Sequence, residues 1–124
     1  MSALSAFVNQ LIRFFQDLSE TFPEEKDIKM ALEALEGAKK INPRLVLDLF
    51  YENVYLDLHE AIGNEDVETI IAVAKRKISS QFNEISPALS IFQKHWPTLD
   101  DTNRSAILKY MKVLIILCAK ARAL

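Results

Sequence analysis

The chain has 124 residues, half of them hydrophobic and 26% charged, with a formal net charge of −2. That composition excludes a disordered or low-complexity protein, suits one compact domain over residues 1–124, and gives no general pull toward nucleic acid or an anionic membrane. Two glycines and four prolines are too few for the repeated tight turns of a sandwich or barrel, so the expected fold is all-α: a single-domain bundle of five to six helices.

In chain order, Leu4, Phe7, Val8, Leu11, Ile12, Phe15 and Leu18 recur at spacings of three and four, which predicts an amphipathic helix over about 3–19. Thr21-Phe22-Pro23-Glu24 has the form of a capping box with proline in the first turn, so a second helix is expected to start there and to finish near Lys39. Asn42-Pro43 repeats the start signal and predicts a third helix over 43 to about 61. Gly63-Asn64 supplies a stop and a new cap, and Val67, Ile70, Ile71, Ala74, Ile78 and Phe82 outline the buried side of a fourth helix reaching about residue 82. Ser86-Pro87 opens a shorter helix that Trp96-Pro97 closes, because proline disfavours helical geometry in the residue before it. The last helix starts among Thr98, Asp100 and Asp101 and runs to about Arg122. From Ile107 to Cys118 its apolar residues go nearly all the way round, which predicts a central position.

The longest apolar run, Val113 to Ala119, is seven residues, far below the roughly 20 that cross a bilayer. Asn9, Gln10 and Arg13 interrupt the first apolar stretch, which therefore does not read as a secretory signal. The single cysteine, Cys118, excludes an internal disulfide and a multi-cysteine zinc site and points to an intracellular setting, cytoplasmic or nuclear. Within an apolar helix it reads as a buried structural thiol rather than a nucleophile.

Charge is uneven along the chain. Residues 1–62 hold eleven Asp/Glu and six Lys/Arg, a balance of −5, and residues 63–124 hold six and nine, a balance of +3. Opposed helices with complementary surfaces account for this.

The sharpest polar pattern lies on the third helix, where Asp48, Glu52, Tyr55 and His59 fall within about 60° of arc on a regular α-helix. Two carboxylates, a phenol and an imidazole could hold a divalent metal or act as acid and base, but such sites need ligands from a facing helix and no Glu-x-x-His pair exists to supply them. His59-Glu60 begins an HExxH zinc pattern and fails at Gly63. With no Walker loop, GxGxxG or GxSxG either, no catalytic residue, metal ligand or cofactor is assigned, and the chain reads as a non-enzyme. Lys75, Arg76 and Lys77 are candidate phosphate contacts, with Lys39, Lys40 and Arg44 a second basic group. Consecutive helical residues point in different directions, so the run makes no coherent groove, and nucleic acid is the disfavoured partner.

Beside its main apolar face (Val46, Leu47, Phe50, Tyr51, Val54, Leu58), the third helix shows a second strip of Leu45, Leu49 and Leu56, separated from the first by polar residues. Two apolar faces need two partners, so this strip is a candidate surface for another protein or a second copy, unless the helix is interior. Trp96, beside His95, reads as a plug at one end of the bundle.

The stretch from Phe15 to Lys29, together with Lys40-Ile41-Asn42-Pro43-Arg44 and Lys94-His95-Trp96, resembles small uncharacterised helical proteins encoded by large DNA viruses of algae and protists. The resemblance implies a viral origin, with an intracellular, virion or replication-factory setting, and carries no site residues. The expected function is a non-enzymatic protein-interaction or structural module, homodimeric through the third helix. The alternatives are a nucleic-acid-associated factor using the basic C-terminal half and, last, a metal-dependent enzyme on Asp48, Glu52 and His59.

Overall fold

Side chains satisfy a free backbone N–H at three helix starts, those led by Ser2, Asp66 and Asp100. The helices led by Glu25, Asn42 and Ile85 have no side-chain cap, so the cap expected at Asn42 does not form. In the computed structural model, which describes residues 2–80 and 83–124, Ser2 opens α1 (Ala3–Thr21) by accepting from the Ser5 N–H at 3.1 Å. The capping box expected at Thr21 does not form. The Thr21 hydroxyl donates back to the Asp17 carbonyl at 2.8 Å, α1 runs two residues past its expected end, and buried Phe22 draws the chain inward before Pro23 and Glu24 turn it. Accordingly α2 (Lys26–Ile41) starts later than the sequence pattern predicts.

Pro43 opens α3 (Pro43–Phe50), and the rod then continues without a break through a π-helical turn, Tyr51–Tyr55, into α4 (Leu56–Gly63). The spacing of its core residues explains the interruption. Val46, Phe50, Val54, Leu58 and Ile62 are all buried and recur every four residues, so on a regular α-helix each would advance about 40° past the last, roughly 160° in all. One π turn contains one residue more than an α turn and sets the rotation back by about 100°. All five therefore face the same core. The Leu56 N–H bonds to the Tyr51 carbonyl, five residues back, and the Asn53 side-chain amide donates to the Leu49 carbonyl at 2.8 Å.

Gly63 does not occupy the left-handed position that ends α4. Glu65 does, at φ 53°, with its N–H on the Ile62 carbonyl and the Asp66 N–H on the Ala61 carbonyl, a Schellman closure built on a non-glycine residue. The Asp66 carboxylate then accepts from the Thr69 N–H and hydroxyl at the head of α5 (Val67–Ser80). Phe82, expected on the buried side of this helix, lies outside the described residues. After α6 (Ser86–His95) a 3₁₀ turn, Trp96–Thr98, leads to α7 (Asp101–Ala121), which Asp100 caps through the Asn103 N–H at 2.8 Å.

The bundle is all-α, with no strand among the described residues. α1 packs against α2, α3 and α7; α4 packs against α5 and α7; and α6 packs against α2 and α5. Phe7, Leu11 and Phe15 of α1 lie at the centre with Leu114 and Cys118 of α7. α7 contacts α1 and the full length of the rod, as its broad apolar wrap requires. Its outer edge nevertheless faces water, with Ile116 55% exposed. Trp96 is buried, stacks on Phe92 and lies beneath the Arg104 guanidinium. A core void of about 40 Å³ between Phe15, Val54, Leu89 and Met111 has wholly apolar walls, so a water there would lack hydrogen-bond partners.

Candidate interaction surface

The rod and α7 lie side by side and antiparallel. Arg122, just past the end of α7, reaches the Asp48 carboxylate near the start of the rod at 2.8 Å, and Lys112, ten residues back, reaches Glu65 beyond its end at 2.8 Å. The Arg122 guanidinium also lies 3.7 Å from the centre of the Tyr51 ring. Tyr51 stacks on Tyr55 at 5.6 Å and Tyr55 on His59 at 4.6 Å, so a cation and three rings form a ladder along the seam. His59 Nδ1 lies 2.8 Å from the Tyr55 carbonyl. A carbonyl only accepts, so that nitrogen carries the proton.

The π turn reorganises the polar stripe that the sequence suggested. Residues after it are rotated by about 100°, which moves Tyr55 and His59 into line with Tyr51 and leaves Asp48 and Glu52 in line with Leu56 instead. Asp48 already holds the Arg122 guanidinium. A cation therefore stands where a facing helix would have to offer metal ligands, and the four residues do not assemble a centre for acid–base or metal chemistry.

The same rotation splits the leucine strip. Leu45 is 49% exposed, Leu49 packs partly against the core, and Leu56, 52% exposed, faces solvent on the other side of Glu52. The rod is thus neither interior nor lined by one continuous apolar strip. Its outward row reads Glu52, Leu56, Glu60, all three exposed. Across the seam, α7 presents Lys112, Ile116 and Lys120, of which Ile116 and Lys120 are exposed and Lys112 half-buried.

The candidate phosphate contacts do not converge. Lys77 is taken by Asp57 at 2.6 Å, which holds that carboxyl below its ordinary range, while Lys75 and Arg76 point into solvent. Lys39, Lys40 and Arg44 are exposed around the α2–α3 joint. Cys118 is fully buried, and loss of hydration pushes its thiol up to about 11, so it is not a nucleophile at neutral pH.

One polar cluster was not foreseen. Glu25, released from the helix start expected around it, receives Lys94 Nζ and His95 Nε2 on the same carboxylate oxygen, each at 2.8 Å, while Phe22 stacks on the His95 ring at 4.4 Å. With Glu24 nearby, the donors resemble a metal-binding set. The ammonium on the shared oxygen makes the cluster a latch between the α1–α2 turn and the end of α6 instead. Its partners lie 69 and 70 residues apart in sequence, and no local pattern pairs them. The hydrogen bonds from Lys94 and then His95 lower the Glu25 pKa, with burial opposing them.

A carboxyl whose pKa is lower folded than unfolded contributes stability above its unfolded pKa and loses that contribution as pH falls through the folded one. Glu25→Gln is therefore expected to cost up to about 1 kcal/mol at pH 7. The gap should close on acidification below the ordinary glutamate range, near pH 4.3. Urea melts of both proteins at pH 7 and pH 3 check this; an equal gap at both values would refute the latch.

Among the described residues, no helix is long and apolar enough to cross a membrane. Compared with known proteins, the chain matches no family model, no curated protein and no solved structure.

Proposed function

We propose that this protein is a non-catalytic interaction module that associates with a second copy through the helical rod of residues 43–63. The observation that carries this reading is the exposure of about half of the Leu45 and Leu56 side chains on a rod whose opposite face is already buried in the core. Large aliphatic groups on a well-packed element gain free energy when another surface covers them. The chemistry of the described residues supports the non-catalytic part: Glu25 is held by Lys94 and Asp48 by Arg122, Asp17 accepts from the Tyr110 hydroxyl, and the thiol is buried. A structural or accessory role in a virus-encoded setting is the form of this reading that the sequence resemblance suggests.

Light scattering on the purified chain from low to high micromolar concentration tests the proposal. A concentration-dependent dimer is expected, and Leu56→Glu should return it to monomer, because the new carboxylate would lose its hydration in the covered interface. A wild-type chain that stays monomeric throughout that range would remove the self-association.

A further inference from the structure

We infer that the second copy sits across the seam between the rod and α7, related by a two-fold axis parallel to the helices, with the Glu52-Leu56-Glu60 row of each copy on the Lys120-Ile116-Lys112 row of the other. This inference rests on the self-association proposed above and names the surface and the partner residues.

Three observations lead to it. The first is pattern: both rows place an acid or a base four residues to either side of an exposed aliphatic residue, so each presents three side chains in a line along one helix face. The second is register. The contact of Arg122 with Asp48 and Tyr51 aligns one end of α7 with the start of the rod. From there Ile116 lies about 9 Å along α7 and Leu56 about 8–12 Å along the rod, at 1.5 Å per residue. A two-fold axis along the seam preserves height, so Leu56 meets Ile116, Glu52 meets Lys120 and Glu60 meets Lys112. The third is unsatisfied charge. Neighbouring helices of opposite sign could simply pair within the chain, yet among the described residues Glu52, Glu60 and Lys120 take part in no ion pair; Lys112, the fourth charge, is held by Glu65 and would be shared with Glu60 of the second copy.

A face with acid on one side and base on the other is complementary to itself under a two-fold rotation, as an isologous interface requires. Against a partner of uniform charge, one row would attract and the other repel. A patch two helices wide is small for a specific interface, which places the association in the micromolar range and makes it sensitive to salt.

Charge exchange between copies tests the arrangement. Glu52→Lys places lysine against Lys120 at both symmetric contacts, and Lys120→Glu places glutamate against Glu52. Each variant alone is expected to dimerise at least about tenfold more weakly in sedimentation equilibrium at low salt. Mixed one to one, the two should recover a heterodimer, because both contacts then join opposite charges; the double variant Glu52→Lys/Lys120→Glu should recover a homodimer. All the substitutions are at exposed positions, and thermal melts confirm that each variant is folded. A wild-type dimer that Leu56→Glu breaks but neither charge reversal weakens would overturn this arrangement and leave self-association through the rod standing. A wild-type monomer would overturn both. Weakening without recovery on mixing would overturn the two-fold pairing in favour of a different partner surface.

Discussion

Inserting one alanine between Asn53 and Val54 is expected to abolish cooperative folding, whereas deleting Asn53 should leave a folded protein within about 1–2 kcal/mol of the parent. The asymmetry follows from the π turn. The rod already contains one residue more than a regular helix, and that residue brings Leu58 and Ile62, both 0% exposed, back over the core. Deletion yields a regular α-helix in which they keep their direction. What is lost is the Asn53 amide on the Leu49 carbonyl, and a restored backbone donor replaces it. Insertion instead rotates α4 by a further 100° or so. That carries Leu58, Ala61 and Ile62 out of the core and forfeits roughly 1.5–3 kcal/mol for each of the two large side chains. The rotation would also swing Glu65 away from Lys112. Urea unfolding followed by circular dichroism separates the two variants, and equal tolerance of both changes would refute the rotational account.

Phe7→Ala should be the most damaging single substitution in α1, with a loss of about 3–5 kcal/mol. Phe7 is fully buried, and its ring meets Phe50 edge-on with centroids 5.0 Å apart, so it joins the first helix to the last residue before the π turn. Removing the ring leaves a void between two elements that many other contacts hold in place, and such a site cannot collapse to fill it. Against a total stability of about 5–15 kcal/mol for a domain, this is a large fraction. The thermal midpoint should fall by more than about 10 °C. A drop of only two or three degrees would mean that α1 and the rod are not packed as described.

The helices themselves were legible because apolar residues at spacings of three and four require an α-helix if they are to share a face. The start of α7 followed from the Asp100 cap, and that of α6 from the proline in its first turn, with no side-chain cap. Thr21 shows the limit of that logic. Its hydroxyl had two backbone partners within reach, a free N–H ahead and the Asp17 carbonyl behind, and burial of Phe22 selected the second. Gly63 and Glu65 show the same limit, since the left-handed position fell to the residue where the chain had to turn rather than to the one that turns most easily.

The candidate surface was legible only in part. Leu45, Asp48, Glu52, Leu56 and His59 were all singled out, but the angles between them assumed a regular helix. The strict four-residue recurrence of Val46, Phe50, Val54, Leu58 and Ile62 was the available signal that the helix would be interrupted.

Sequence alone determined which segments are helices and which face of each is apolar, because both are local consequences of a 3.6-residue period acting on hydrophobic side chains. Tertiary structure decided the remainder: the π turn in the rod, the Glu25 latch across 70 residues, and the Arg122 contact with Asp48 across 74. The physical reason is common to all three. Each costs local backbone or side-chain freedom that only packing between distant segments can offset, and one residue's period along a helix contains no record of which distant segment will lie beside it.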